Sequence, residues 1–361
     1  MRRSLLALTL GLLLACPPTY AADIYGLTPG NPDIKSAGPM AFGPSGILFI
    51  GDPMGASVFA IQTGEKKSSP AKAMHELEGV TEAIKEVLKA DVKINDLAVN
   101  PESGTVYILV TAKGKGPALV KINGSEVKEV SLKNIPFAKK ELSNAAEDAV
   151  VKVGRREKNL RGESITDLAF VDGEVIVSGY RKGDSPSGVT SVVFPFNKAD
   201  KGAGLEIYHG AHGKSEDYSA IRTFVPFIIN GEANLLAGFV CTPLVKFPVS
   251  AVESSDKITA TTVAELGNRN QPLDMIVYEK DGKSFLLLSN NNRGVMKIST
   301  EDIENQKPIT SPVRNGGVAG QPFETVKSLT NVVQLDKLND THAVVLIADA
   351  DQIDLKTVEL P

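Results

Sequence analysis

Six segments of this chain repeat one pattern, and no other feature restricts its fold as strongly. Each has an apolar strand, a turn rich in glycine, aspartate, asparagine or proline, and a second strand of β-branched and aliphatic residues. Such strand–turn–strand units are typical of antiparallel β-meanders. They span residues 39–50, 94–109, 165–177, 220–236, 272–288 and, as the weakest copy, 328–347. The chain is therefore predicted to be all-β.

The repeats favour a closed ring over an open stack, because a ring of sheets leaves no long exposed edges. We predict a single β-propeller of about six antiparallel blades, the last closed by a strand from near either terminus. The repeats lie further apart than the ~40 to 50 residues of a propeller blade. The extra length predicts two helical insertions, at residues 73–88 and, with a weaker apolar pattern, at 136–151.

These repeats resemble those of secreted bacterial propellers of the NHL and YVTN type. The resemblance covers most of the chain and rests on general repeat shape, without a WD dipeptide or a kelch signature. It implies the propeller fold. It does not imply one activity, because such propellers serve as binding proteins, lactone hydrolases and electron-transfer partners.

The first residues have the three parts of a secretory signal. Arg2 and Arg3 precede an apolar run at 4–15, and small residues follow near Ala21. This run is shorter than the ~20 residues that span a bilayer. We predict a signal peptide at 1–21, a propeller at 22–361, no transmembrane span, and export to the periplasm or beyond. A lipid anchor on Cys16, which follows Leu-Leu-Ala, is the alternative to a free mature end.

Charge and cysteine content narrow the partners and the source of stability. The formal charge is −4 and the signs are mixed, which is unsuited to nucleic acid. Cys241 is the single cysteine beyond the predicted signal, so a large apolar core must stabilise the fold without a disulfide framework. The chain has no Gly-x-Ser-x-Gly elbow and no haem-attachment motif.

Polar residues of the connecting loops are expected to gather on one face of the propeller. Loops before first strands and loops between second and third strands open on the same side, where binding residues collect. The candidates for contacting a small polar ligand or an envelope partner protein are Asp52, Arg181, Arg222, Asn290 and Arg293. Arg222 and Arg293 could clamp an anion through two hydrogen bonds. Ion pairs with nearby carboxylates are the alternative.

The sharpest local motif is Tyr-His-Gly-Ala-His-Gly at 208–213. His209 and His212, with Cys241 assigned to the same blade, form a donor set that suits Zn or Cu. Loop-stabilising hydrogen bonds and a packed, inert thiol are the alternative.

Aspartates recur where first strands begin. Asp96, Asp167 and Asp274 could line the central channel and bind Ca²⁺ together with an asparagine such as Asn95 or Asn331. A repeated aspartate more often has a structural origin, and bonding to neighbouring backbone N–H groups is the favoured interpretation.

Three functions are consistent with these patterns. The first is an exported protein that binds a small polar ligand or a partner on its loop face. The second is a metal-dependent hydrolase of the lactonase type, with Ca²⁺ or a similar ion in the channel. The third is a metal-handling or redox protein that uses His209, His212 and Cys241.

Overall fold

Each of the six sequence repeats forms the first two strands of one blade, and six antiparallel blades surround a central channel. The computed structural model describes residues 25–65, 67–153, 156–314 and 317–361. The predicted signal peptide and Cys16 lie outside these ranges. The predicted six-bladed all-β propeller is confirmed.

The blades are numbered here by the chain order of their innermost strands. Blade 1 contains β1 (Thr28–Gly30), β2 (Met40–Phe42), β3 (Ile47–Asp52), β4 (Ser57–Gln62) and β10 (Ile135–Glu141). Blade 2 contains β6 (Val92–Val99), β7 (Val106–Ala112), β8 (Gly116–Asn123) and β9 (Glu126–Val130). Blade 3 contains β13 (Asp167–Val171), β14 (Glu174–Tyr180), β15 (Ser187–Val193), β16 (Lys201–His209), β17 (Lys214–Glu216) and β21 (Lys257–Thr259).

The remaining blades follow in the second half of the chain. Blade 4 contains β18 (Thr223–Ile229), β19 (Glu232–Gly238), β20 (Pro243–Pro248), β22 (Thr261–Leu266) and β26 (Val318–Gly320). Blade 5 contains β23 (Pro272–Lys280), β24 (Lys283–Asn290), β25 (Gly294–Ser299) and β27 (Phe323–Thr325). Blade 6 contains β28 (Val332–Lys337), β29 (His342–Asp349), β30 (Gln352–Glu359) and β5 (Glu76–Leu77). A separate hairpin pairs β11 (Val150–Val153) with β12 (Arg156–Asn159).

The order of the blades around the ring differs from their order in the chain. The innermost strands contact one another in the order blade 1, 3, 4, 5, 6, 2 and back to 1. After β4 the chain crosses to blade 6, where β5 pairs with β30, and then builds blade 2. It returns to blade 1, where β10 pairs with β4, before it continues to blade 3. Blades 1 and 6 are therefore completed by strands remote in sequence, and β21 and β26 join blades 3 and 4 in the same way. The strand that joins the last blade, β5, comes from the first quarter of the chain and not from near a terminus as predicted.

Apolar side chains fill every interface between neighbouring blades. Six clusters of buried residues correspond to the six interfaces, for example Phe49 with Val177 between blades 1 and 3, and Phe224 with Ile176 between blades 3 and 4. Both faces of each inner sheet are covered, which explains why the second strands read as near-continuous apolar runs. This is the large apolar core that the sequence analysis expected to stabilise the fold without a disulfide framework.

The two helices correct part of the prediction. α1 (Val80–Leu88) lies in the first predicted insertion and buries Val80, Ile84 and Leu88. The second predicted insertion, 136–151, contains β10 and the start of β11, because its apolar residues alternate along a strand that pairs with β4. The second helix is α2 (Ser250–Ser254), after β20. Neither helix within the described ranges has the length and apolar character needed to span a membrane.

Candidate functional site

Four aspartates encircle the middle of the central channel. They lie on the innermost strands of blades 2, 3, 5 and 6 and are Asp96, Asp167, Asp274 and Asp336. Each accepts a hydrogen bond from a backbone N–H of the next blade: the donors are Met40, Phe224, Leu335 and Val99, respectively. These carboxylates join inner strands, which is the structural role that the repeated aspartates favoured.

The same carboxyl groups are poorly solvated. Burial raises the pKa of Asp96 and Asp274 well above the ordinary value, and the neighbouring carboxylates of the ring raise it further. Burial likewise raises the pKa of Asp167 to about 7 and that of Asp336 to about 6, although backbone N–H groups oppose the shift. Within the described residues, the ring thus consists of carboxyl groups held by amides, without a basic side chain among their hydrogen-bond partners.

The aspartates separate two cavities of opposite character. The smaller, of about 220 Å³, is polar and is lined by Asn95, Thr166, Arg222 and Gln334. The larger, of about 750 Å³, opens on the opposite face and is lined by apolar side chains such as Phe42, Phe170 and Phe224. Asn331, the other asparagine considered for a Ca²⁺ site, is exposed and does not line either cavity.

The five predicted ligand-binding residues do not converge on one site. Asp52 is buried and accepts hydrogen bonds from the backbone of Lys35, Ser36 and Gly55. Arg181 donates to the carbonyl of Gly202, and Asn290 accepts from Asn270. Arg293 packs against Gly267 and donates to the carbonyl of Asn268.

Arg222 is the one member of that set that lines the channel. Its guanidinium forms a 2.9 Å ion pair with Glu163. Burial alone would raise the pKa of Glu163, but Lys158 and Arg222 outweigh it and lower the pKa. Arg222 therefore already has an anionic partner.

His209, His212 and Cys241 come together at the joint between blades 3 and 4. His209 ends β16, and Cys241 follows β19, so two blades contribute where the sequence assigned one. One donor atom of each of the three residues lies within 4.8 Å of the other two. Within the described ranges, this is the one such group of three histidine, cysteine, aspartate or glutamate side chains.

A tight turn places the two imidazoles side by side. The N–H groups of His212 and Gly213 both donate to the carbonyl of His209, at 3.1 and 2.8 Å, and the ring centroids lie 3.8 Å apart. Gly210 is required by space, because a Cβ there would come within 2.9 Å of Val313 and 3.0 Å of Glu265. The glycines of the His-Gly-Ala-His-Gly motif thus allow the turn to pack closely against residues such as Val313 and Glu265.

One buried carboxylate orients both imidazoles. Glu216, on β17, accepts from His209 Nδ1 at 3.0 Å, from His212 Nδ1 at 2.7 Å and from the Tyr218 hydroxyl at 2.7 Å. Burial alone would raise the pKa of Glu216, but these hydrogen bonds outweigh it and lower the pKa to about 2. Glu216 is therefore ionised, and for a neutral imidazole it selects the tautomer with hydrogen on Nδ1, which makes Nε2 the nitrogen that can bind a ligand.

His209 Nε2 is buried and has no hydrogen-bond partner among the described residues. A protonated nitrogen there would be a buried donor without an acceptor, at a cost of about 1–3 kcal/mol. A neutral nitrogen that binds a ligand avoids that penalty. Carboxylate–imidazole pairs of this kind orient histidine ligands at metal centres.

Cys241 is held in an uncommon backbone conformation. Cys241 and Thr242 both have positive φ, 64° and 59°, which costs non-glycine residues conformational energy. The Cys241 N–H donates to the carbonyl of Asn270 at 2.7 Å, and Thr242 Oγ1 donates to the carbonyl of Gly267 at 2.6 Å. These contacts fix a half-buried thiol beside the imidazoles.

Sequence reasoning missed Glu216, Tyr218, Asp336 and Glu265. Glu216 ends β17, the short strand after the histidine turn, and Tyr218 follows two residues later in a bend. Asp336 comes one residue after the end of the apolar segment in the weakest repeat. Glu265 accepts from the Gly210 N–H beneath the turn, and burial raises its pKa to about 7.

No protein-family model matches this chain, and no curated protein matches it. Among solved structures, it is similar to the PQQ-bound aldose sugar dehydrogenase of Streptomyces coelicolor: 10% identity over 92% of this chain and 96% of that one, with a TM-score of 0.32. It is also similar to a Thermus thermophilus protein described as a putative oxidoreductase (glucose dehydrogenase): 12% identity over 92% and 100%, with a TM-score of 0.36.

Similarity at this level carries no argument about substrate or cofactor. The propeller itself rests on the strand pairings of this chain. The narrower NHL or YVTN repeat type stays a prediction.

Proposed function

We propose that this protein binds one transition-metal ion, copper in preference to zinc, through His209, His212 and Cys241. The observation that carries the proposal is the buried, unpartnered Nε2 of His209 within a group of three converging donors. An imidazole in that state gains a partner when it binds a cation. We expect the protein to bind this ion outside the cytoplasm, after export.

The donor chemistry supports a soft or borderline ion. Two imidazoles and a thiolate are ligands of copper and zinc, whereas Ca²⁺ takes six to eight oxygen ligands. Divalent copper binds nitrogen and sulfur donors more tightly than zinc does. The Glu216 carboxylate, which accepts from both Nδ1 atoms, supports both histidines as ligands through Nε2.

The other two functions have less support. A Ca²⁺-dependent hydrolase needs free carboxylate oxygens, but Oδ2 of each channel aspartate already accepts a backbone N–H. Ligand binding on the loop face is favoured only by the polar cavity of about 220 Å³ at Arg222. That cavity makes small polar ligands the second candidate, and it is separate from the histidine and cysteine residues.

The test is an anaerobic titration with divalent metal of the purified protein, with Cys241 reduced beforehand and the reductant removed, in competition with a chromophoric chelator. We expect one equivalent of copper to bind and zinc to bind more weakly at the same site. Cys241→Ser and His209→Gln should abolish stoichiometric binding, whereas His342→Gln, at a histidine that pairs locally with Thr341, should leave it unchanged. Equal copper binding by wild type and by both site variants would refute the proposal.

A further inference from the structure

The three donors differ in how much solvent reaches them, and this asymmetry suggests a feature of the site beyond metal binding. The side chain of His209 is 3% exposed, whereas that of His212 is 45% exposed. Cys241 is half-buried, and Val240 beside it is exposed. Solvent therefore reaches the donor group from the side of His212 and Cys241.

The donor set is also incomplete for the ions it suits. Zinc in proteins almost always takes four ligands, and sites with three protein ligands keep a position for water or substrate. Within the described residues, the group contains His209, His212 and Cys241 and no fourth histidine, cysteine, aspartate or glutamate. Closed sites with four protein ligands are structural, whereas sites with three are the ones that exchange a ligand or react.

A cation lies beside Glu216, the carboxylate that orients the two imidazoles. The side chain of Lys214 is 56% exposed; its Nζ lies 3.6 Å from Glu216 Oε1 and donates to the Tyr218 hydroxyl at 2.9 Å. A positive charge in the surroundings of a metal site favours an anionic ligand over a neutral one.

We infer that the site, when loaded, accepts a small anionic donor from solution as its fourth ligand, on the side of His212 and Cys241, and that the positive charge of Lys214 favours this anion. This inference rests on the proposed function, because it requires the ion to be present. It identifies the site as one that exchanges a ligand. It also names the ligand class: small anions with a nitrogen, sulfur or halide donor atom.

The test uses azide as the probe and the full-length protein loaded with one equivalent of Cu²⁺ or, as a spectroscopic substitute, Co²⁺. We expect saturable changes in the visible absorption bands of the loaded protein and none in the metal-free protein. Lys214→Gln should weaken azide binding about 2- to 5-fold, the range of an exposed charge interaction, at unchanged metal stoichiometry. Lys283→Gln is the matched control, since Lys283 is similarly exposed, at 59%, on blade 5.

The outcomes separate the two claims. If azide does not change the visible spectrum of the metal-loaded protein, the inference of an open coordination position is refuted, and the proposal of metal binding is not. Equal azide affinity in wild type and Lys214→Gln refutes the role of the Lys214 charge. A protein that binds no metal refutes both the inference and the proposed function.

Discussion

Two groups of carboxylates in this propeller have opposite surroundings. The channel aspartates accept hydrogen bonds from backbone N–H groups, and burial raises their pKa. Glu216 lies at one joint between blades, accepts from two imidazoles and a phenol, and has a pKa lowered to about 2. Both groups are enclosed, but their partners differ.

The difference separates architecture from chemistry. A carboxylate that recurs from blade to blade and binds an amide of the next blade does the same structural work at each joint. A carboxylate that occurs once and orients two side chains with a free nitrogen prepares those side chains for a ligand. The following predictions test whether this division holds, from the largest expected effect to the smallest.

Removal of a proposed donor should have the largest effect. Cys241→Ser and His209→Gln should each lower the affinity for copper by more than about 100-fold, because loss of a ligand exceeds the 10–100-fold cost of losing an orienting partner. Competition titration measures this affinity. Asp274→Ala, in the channel, should leave the affinity within about 2-fold. A channel variant that loses copper as the donor variants do would contradict the division.

Glu216→Gln should lower copper affinity about 10- to 100-fold, since an amide cannot accept from both Nδ1 atoms with the strength of a carboxylate. The stoichiometry should stay at one. The same titration gives the result, with Glu206→Gln, on the preceding strand, as the control. An unchanged affinity would show that Glu216 does not orient the ligands.

Asp274→Ala should lower the free energy of unfolding by about 1–3 kcal/mol, because the buried N–H groups of Leu335 and Met275 lose their acceptor. Urea unfolding of the metal-free protein measures the change. Asp351→Ala, at an exposed loop residue, should alter stability by less than about 0.5 kcal/mol. If Asp274→Ala were as stable as wild type, the structural role of the channel aspartates would be contradicted.

The raised pKa of Asp167 predicts a smaller, pH-dependent effect on the free energy of unfolding. Its pKa is about 7 when folded and near 3.8 otherwise, so the folded state binds the proton more tightly. The resulting stabilisation is complete below about pH 4 and is lost as pH rises through 7. Wild type should therefore lose about 1 kcal/mol more stability than Asp167→Asn between about pH 6.5 and 8, measured by urea unfolding. Parallel curves would show that Asp167 does not titrate in this range.

The fold could be predicted because each repeat carries its own local signal. Segments such as 94–109 and 272–288 contain two apolar strands around a turn. This pattern can be recognised without knowing which parts of the chain pack against it. The ring order could not be predicted, because β5 has only two residues and β10 looked helical in isolation. The strand character of β10 depends on pairing with β4, and all of blade 2 lies between these two strands in the chain.

The site was predicted in part for a similar reason. His209 and His212 are three residues apart, and glycines around them indicated a tight turn. Cys241 could be added as a donor type, but its position within 4.8 Å of the histidines depends on how blades 3 and 4 pack. The five loop residues were grouped by face alone, and in the structure local hydrogen bonds or ion pairs hold each of them.

The most direct test of the central claim is X-ray absorption spectroscopy at the copper edge on the protein loaded with one equivalent. We predict an inner coordination shell with one sulfur and two imidazole nitrogens, and loss of the sulfur signal in Cys241→Ser. A shell of oxygen and nitrogen without sulfur in wild type would contradict the assignment. It would show that copper binds without Cys241.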